Sequence, residues 1–307
     1  MSGTPWARGR LLGGFGGPRL LFGRMYEDSS VELAVFPPPG ARVLCIASAG
    51  DTAAALQSAG YEVTAVDVNP VQLTYARERL VGGGTREGTA EAVMRLGRGA
   101  AALLLPAWRH RELHGFLTLD DPVEQVRRWR EELDTEGLRR LMRVALRPGG
   151  ALAVALRPSF AGVVPPRFDE VLRRRLERTV GRHPNARNPL LWRLLVGAEP
   201  PGTSALWAPG VRLVCDDVVH ALERAPRGGY HAVTLSNVLD GPGPDFARRL
   251  RAAVRHAVRP GGVVVLRSAR EPGPGGPGWA AQDRSPLWGV VRAVRLGGTA
   301  PDRRIEP

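Results

Sequence analysis

Residues 43–51 read VLCIASAGD, and residues 65–70 read AVDVNP. The first is an apolar run entering a turn of small residues. The second is an apolar run ending on an acid. A buried strand, a turn whose backbone can approach a ligand, a helix, and a second strand closed by a carboxylate are how a Rossmann-like nucleotide-binding unit begins. The turn holds one glycine, Gly50, where a dinucleotide fingerprint holds three. Asp51 opens the following helix and adds negative charge where a pyrophosphate would sit. The pair of motifs therefore argues against NAD or FAD. A cofactor without phosphates fits better, and S-adenosylmethionine, whose sulfonium and ammonium groups are cationic, is the expected one.

Working outward, residues 42–47 and 61–67 read as strands, with helices from Thr52 to Ala59 and from Pro70 to about Leu80. Such alternation predicts a parallel sheet. It then breaks at VGGGTREG, and roughly 130 residues separate that point from the next clear strand. Within them, residues 121–146 and FDEVLRRRLERTV have helical periodicity with arginines opposite the apolar stripe, NPLLWRLLVG reads as a short helix, and RPGGALAVALRP (147–158) as a short strand. Sheet grammar resumes with strands expected at 211–217, 230–237, 263–268 and 288–296. The expected organisation is an arm over the cofactor site at 1–40, a cofactor domain at 41–81 and 211–307, and a mostly helical insertion at 82–210 that binds the acceptor. In the arm, the spacing of LLFGRMYEDSSVEL (20–33) predicts a helix lying over the sheet.

No run reaches the 18 or more apolar residues of a membrane span, and the N-terminus lacks the continuous apolar core of a secretory signal, so a cytoplasmic protein is expected. The two cysteines, Cys45 and Cys215, fall in expected strands as inert packing residues. The net charge is +13, and all 43 basic residues are arginine. Abundant alanine, glycine, proline and arginine are what GC-rich codons impose, so the sign of the charge does not choose a partner. An RNA-binding surface would need exposed stacking aromatics, and aromatics are only 6% of the chain, scattered through apolar contexts. The arginine-rich helices 123–143 and 169–180 either dock on anionic lipid headgroups or are merely solvated.

The turn Ala47-Ser48-Ala49-Gly50 is expected to approach the cofactor with its backbone. Asp67, followed by Val68, is placed to accept from the ribose hydroxyls. Asp217 is placed to accept from the adenine amino group, with Val218 flanking the ring, although an Asp at a strand end is also a common helix cap. Ser236-Asn237-Val238-Leu239-Asp240 closes the fourth strand, where the acceptor or the methionine part is handled; a turn stabilised by Asn and Asp is the plain alternative. His231 lies inside that strand as a core or edge histidine. His110 and His114 have i, i+4 spacing without acidic or cysteine partners, so no metal is expected.

FGRMYED, VLCIASAGDTAAAL, AVDVNPVQL, YHAVTLSNVLDG, GGVVVLRS and DRSPLWG, in that order, resemble the S-adenosylmethionine:diacylglycerol 3-amino-3-carboxypropyltransferase family of betaine-lipid synthesis. The likeness covers the arm, the cofactor half and the last third of the chain, and is weakest over 82–210. It implies an α/β, Rossmann-like class I S-adenosylmethionine-dependent transferase fold with a long helical insertion. It also implies transfer of the aminocarboxypropyl arm to an oxygen nucleophile, leaving methylthioadenosine. Arg24 or Arg267 would then clamp the methionine carboxylate, Glu27, Asp28 or Asn237 the ammonium, and Tyr26 and Ser236 line the site. Asp240, His231 and Glu27 are the general-base candidates. The chain has a reduced middle and no aromatic membrane-docking helix, so the acceptor is either diacylglycerol or a small-molecule phenol, as in isonocardicin synthase of β-lactam biosynthesis. Ordinary methyl transfer is the alternative chemistry on the same fold.

Overall fold

Short runs of β-branched and small apolar residues, separated by helices with one apolar face, build a three-layer α/β structure. A computed structural model describes residues 17–156, 165, 167–240, 242–297 and 302–306, so readings of residues 1–16 and of Gly241 lie outside the described residues. In chain order the sheet-bearing half begins with α1 (Ser30–Val35), β1 (Arg42–Ile46), α2 (Asp51–Ser58), β2 (Glu62–Asp67) and α3 (Pro70–Arg79). It resumes with β3 (Arg212–Cys215), α10 (Val218–Arg224), β4 (Tyr230–Ser236), α11 (Pro244–Ala257), β5 (Val258–Ser268), β6 (Val290–Arg295) and β7 (Arg303–Ile305). The seven strands lie in the order β3-β2-β1-β4-β5-β6-β7. The first five are parallel; β6 is antiparallel to β5, and β7 to β6.

Alternation along the strands divides the core. Val43, Cys45, Val63, Ala65, Val263 and Val265 face α1 and α2 on one side of the sheet. Leu44, Val66, Val233, Leu235 and Val264 face α10 and α11 on the other. Cys45 is buried as expected, and burial pushes its thiol pKa up. Cys215 is not: it ends the edge strand β3 and is exposed.

The insertion comprises α4 (Thr89–Leu104), α5 (His110–Leu117), α6 (Pro122–Arg128), α7 (Glu136–Leu156), α8 (Phe168–Val180) and α9 (Pro189–Leu195). These helices share a core of their own, around Trp108, Phe116, Trp129, Leu191 and Trp192. The strand expected over 147–158 is instead the end of α7, which runs through Pro148 and the two glycines to Leu156; residues 157 and 158 lie outside the described residues. Most arginines of 123–143 and 169–180 have carboxylate partners within the fold. Arg127 pairs with Glu124 and Glu131, Arg128 with Glu132, Arg130 with Glu177, and Arg173 with Asp134. Buried Arg175 donates to the carbonyls of Leu287 (2.7 Å) and Ala269 (3.0 Å), which clamps α8 to the segment around β5 and β6.

The arm departs furthest from expectation. Residues 20–29 form no helix, and only Ser30–Val35 do. Glu32 on that helix is fully buried beside Arg267 of β5. The Arg267 guanidinium donates to both Glu32 oxygens, to Asp283 Oδ2 (2.9 Å) and to the Asp28 carbonyl (2.7 Å), while Thr234 Oγ1 donates to Glu32 Oε1 (2.5 Å). Removing one member of such a group leaves an uncompensated buried charge. Glu32→Ala is therefore expected to destabilise the fold by about 3 to 5 kcal/mol in urea unfolding. A loss under about 1 kcal/mol would show that Arg267 does not depend on Glu32.

Candidate functional site

Chain order reverses between β1 and its two neighbours, β2 and β4, so a crevice opens outside the carboxyl ends of these strands. A cleft of about 300 Å³ lies there, roofed by the arm. Two non-glycine residues lining it have positive φ: Ser48 (43°), after β1, and Asn237 (64°), after β4. Backbone strain of this kind, on the two strands flanking the reversal, marks positions where the chain is held for a purpose other than stability.

Ser48 is fixed from both sides. Its N–H donates to Asp67 Oδ2 (3.0 Å), and its carbonyl accepts from Gln72 Nε2 (2.9 Å). Gly50 (φ 92°) then turns the chain into α2, a conformation that residues other than glycine rarely adopt. The N-terminus of α2 is not an open anion site. Thr52 N–H meets Met25 Sδ at 3.5 Å, and Asp51 pairs with Arg79 (2.5 Å) and Arg193 (3.0 Å). The start of α2 is thus covered by the arm and already matched to a carboxylate, which leaves no cradle for a pyrophosphate.

Asp67 lies on the cleft floor with Oδ1 accepting from Asn69 N–H (2.9 Å). Burial raises its carboxyl to about 6, tempered by the N–H groups of Asn69, Ser48 and Val68. Asp217 and Val218 also line the cleft, and Asp217 caps α10 through Oδ1, accepting from Val219 N–H at 2.9 Å. It is both a cap and a cleft residue.

The opposite end of the cleft is polar and unfinished. Asn237 Oδ1 is buried and has no hydrogen-bond partner among the described residues, and its neighbour Ser236 meets only the Glu27 carboxylate. Tyr26 Oη is buried and unpartnered as well, among Glu91, Arg98, Arg24 and Arg193. Buried polar groups are almost always paired, so Asn237 Oδ1, on the cleft lining, is a candidate for a ligand contact. Burial raises the Tyr26 phenol pKa far above its ordinary range, which keeps it a neutral donor. Glu27 lies among them, accepting from Thr52 Oγ1 (3.2 Å). Burial, with a smaller push from Glu32, lifts its carboxyl to about 7 against the pull of Arg267. Arg24 lines the same end and faces Glu199 at 3.3 Å.

Of the residues expected here, Arg24, Tyr26, Glu27, Ser48, Asp67, Val68, Asp217, Val218, Ser236 and Asn237 meet in the cleft. Ala47, Ala49 and Gly50 shape the turn from beneath without lining it. Four others are placed elsewhere. Arg267 is wholly engaged by Glu32, Asp283 and the Asp28 carbonyl, so it is no carboxylate clamp. Asp28 takes three hydrogen bonds from Arg284; burial alone would raise its carboxyl, but this partner outweighs it and holds it at about 2. Asp240 joins the turn after β4 to the end of β5, accepting from Ser268 Oγ (2.7 Å) and Ala269 N–H (3.0 Å). His231 accepts from Arg42 N–H (3.1 Å) at the far end of β4 and does not reach the cleft.

Sequence reasoning missed the apolar wall of Phe22, Phe168, Phe246, Leu287 and Trp288, which four separate segments assemble. It also missed Gln72, although that residue sits inside AVDVNPVQL. No protein-family model matches the chain, and the comparisons with curated proteins and with solved structures found no match.

Between pH about 4.5 and about 7 the folded chain keeps a proton on Glu27 that the unfolded chain has released, so this group lowers stability as pH rises through that window. Glu27→Gln is expected to flatten the trend and to stabilise the protein near pH 7.5 by up to about 3 kcal/mol relative to the parent. Equal pH slopes for the two proteins in urea unfolding would place the Glu27 carboxyl at its ordinary value.

Proposed function

We propose that the cleft binds S-adenosylmethionine within a class I transferase fold, and that the chain moves its 3-amino-3-carboxypropyl group to a hydroxyl acceptor. The observation that carries this is the unpartnered Asn237 Oδ1 on the cleft lining, next to Ser236, whose side chain meets the Glu27 carboxylate. Asp67 and Asp217 suit the ribose hydroxyls and the adenine amino group, with Val218 and Phe246 as apolar neighbours of the ring. Arg24 suits the methionine carboxylate, and Ser236 with Asn237 the ammonium.

A grip on the amino-acid end is what selects this reaction. The sulfonium has three carbons open to attack, and the one presented to the acceptor reacts. The hydroxyl oxygen forms a C–O bond to the γ-carbon as the C–S bond breaks. The electron pair goes to sulfur, giving methylthioadenosine, and the hydroxyl proton goes to a base. Glu27, the cleft carboxylate whose pKa lies near neutrality, is suited to take it. The apolar wall of Phe22, Phe168, Leu287 and Trp288 favours a diacylglycerol acceptor over a small polar phenol.

Incubation with S-adenosylmethionine and dispersed diacylglycerol is expected to give acceptor-dependent methylthioadenosine by mass spectrometry. S-Adenosylhomocysteine instead would mean methyl transfer, and stimulation only by phenolic amino-acid derivatives would move the acceptor to a small molecule. Asp67→Ala is expected to abolish S-adenosylmethionine binding in calorimetry with a native circular dichroism spectrum; unchanged affinity removes Asp67 from the site. Glu27→Gln is expected to lower kcat by about 10²–10⁴ while affinity holds, and an unchanged kcat would rule Glu27 out as the base.

A further inference from the structure

Helix α4 breaks the rule that a surface helix is polar on its outer side. Its inner side carries Ala90, Glu91 and Ala101, all buried. Its outer side carries Val93, Leu96, Leu103 and Leu104, which are 48%, 69%, 80% and 62% exposed. The residues between them on that side are Ala92, Gly97, Gly99 and Ala100, and the exposed charge there is Arg95, paired with Glu87 at 2.8 Å. The chain leaves α4 through Pro106–Trp108 and then presents Arg109 and Arg111, both exposed, with no carboxylate at ion-pairing distance among the described residues. These two differ from the arginines of α6 and α8, most of which are held by acids.

An exposed apolar face followed in the chain by two exposed arginines, with exposed Glu112 beside them, matches a lipid surface with anionic headgroups: leucines enter the acyl boundary while guanidinium groups stay with phosphates. A second copy of the chain is a poorer occupant, because each copy carries +13 and meets its own sign. Helix α4 is also tied to the cleft. The N–H groups of Thr89 and Ala90 donate to the Leu20 and Leu21 carbonyls (3.0 and 2.9 Å). Glu91, from the inner side, accepts from the N–H groups of Gly23 (2.8 Å) and Arg24 (3.1 Å). The helix that bears the ridge therefore holds the arm that roofs the site.

We propose that the outer face of α4 docks the protein on an anionic bilayer, with Val93, Leu96, Leu103 and Leu104 in the interface and Arg109 and Arg111 on headgroups. As a device for reaching a membrane-borne acceptor it rests on the lipid reading above, but docking itself is read without turnover. Co-sedimentation of the full chain with phosphatidylglycerol-rich vesicles, set against pure phosphatidylcholine vesicles, is the test. The parent is expected to favour the anionic vesicles. Leu103→Glu with Leu104→Glu is expected to weaken that partitioning by more than about tenfold while S-adenosylmethionine affinity and circular dichroism stay unchanged. Arg109→Glu with Arg111→Glu is expected to weaken it as well and to reduce its salt dependence. Equal partitioning of parent and leucine variant would overturn the proposal. So would a parent that ignores vesicles but forms a dimer that the leucine variant abolishes, which would assign the ridge to a second copy. Vesicle docking without methylthioadenosine from diacylglycerol would keep the docking face and reject the lipid acceptor.

Discussion

Residues 20–28 have no helix or strand to satisfy their backbone, and the rest of the structure is arranged around supplying what they lack. A buried backbone N–H or C=O without a partner is costly, so each must be met by something. Gln72 takes the N–H groups of Leu21 and Phe22 and returns a bond to the Phe22 carbonyl. Glu91 takes Gly23 and Arg24, Tyr75 donates to the Gly23 carbonyl, and Arg193, Trp288 and Arg267 donate to those of Met25, Tyr26 and Asp28. Gly23 passes so close to Arg86 that a Cβ there would lie 1.8 Å from its carbonyl oxygen, which is why the position takes glycine. The partners come from α3, α4, α9 and β5 and the segment before β6, so the arm joins the sheet and the insertion by threading between them.

Functional consequences follow from that threading. The arm supplies Arg24, Tyr26 and Glu27 to a cleft whose floor, Asp67 and Ser48, belongs to the sheet. The same Gln72 that holds the arm also donates from its Nε2 to the Ser48 carbonyl, so roof and floor are set by one side chain. Burial under the roof raises the carboxyls of Glu27 and Asp67 by disfavouring their charged forms, and a cationic ligand in the cleft would lower them again.

The strands and helices of the sheet-bearing half were legible because their signals are local. Alternation in VLCI and EVTAVD, an Asn–Pro helix start and glycine turns each act within a few residues. The arm was not legible because its partners lie 50 to about 240 residues away, as with Gln72 to Leu21 and Arg267 to Asp28. Arg267 itself looked like a ligand clamp because an arginine at a strand end reads the same whether it faces a cleft or a buried Glu32. RPGGALAVAL reads as a strand by alternation, yet it is carried along as the end of a helix begun at Glu136. Cys215 looked buried because periodicity does not reveal which strand is at the sheet edge. Conversely Asp67 and Asn237, at the ends of β2 and β4, do line the cleft, as a parallel sheet places residues at its strand ends.

The central claim is that one ligand spans the cleft, its nucleoside on Asp67 and Asp217 and its amino-acid end among Tyr26, Ser236 and Asn237. A crystal structure with S-adenosylhomocysteine tests it most directly. The ribose hydroxyls are expected on the Asp67 carboxylate, and Asn237 Oδ1 is expected to gain a partner from the amino-acid end. A nucleoside bound outside this cleft, or an amino-acid end pointing away from Glu27 with Asn237 Oδ1 still unpaired, would contradict it.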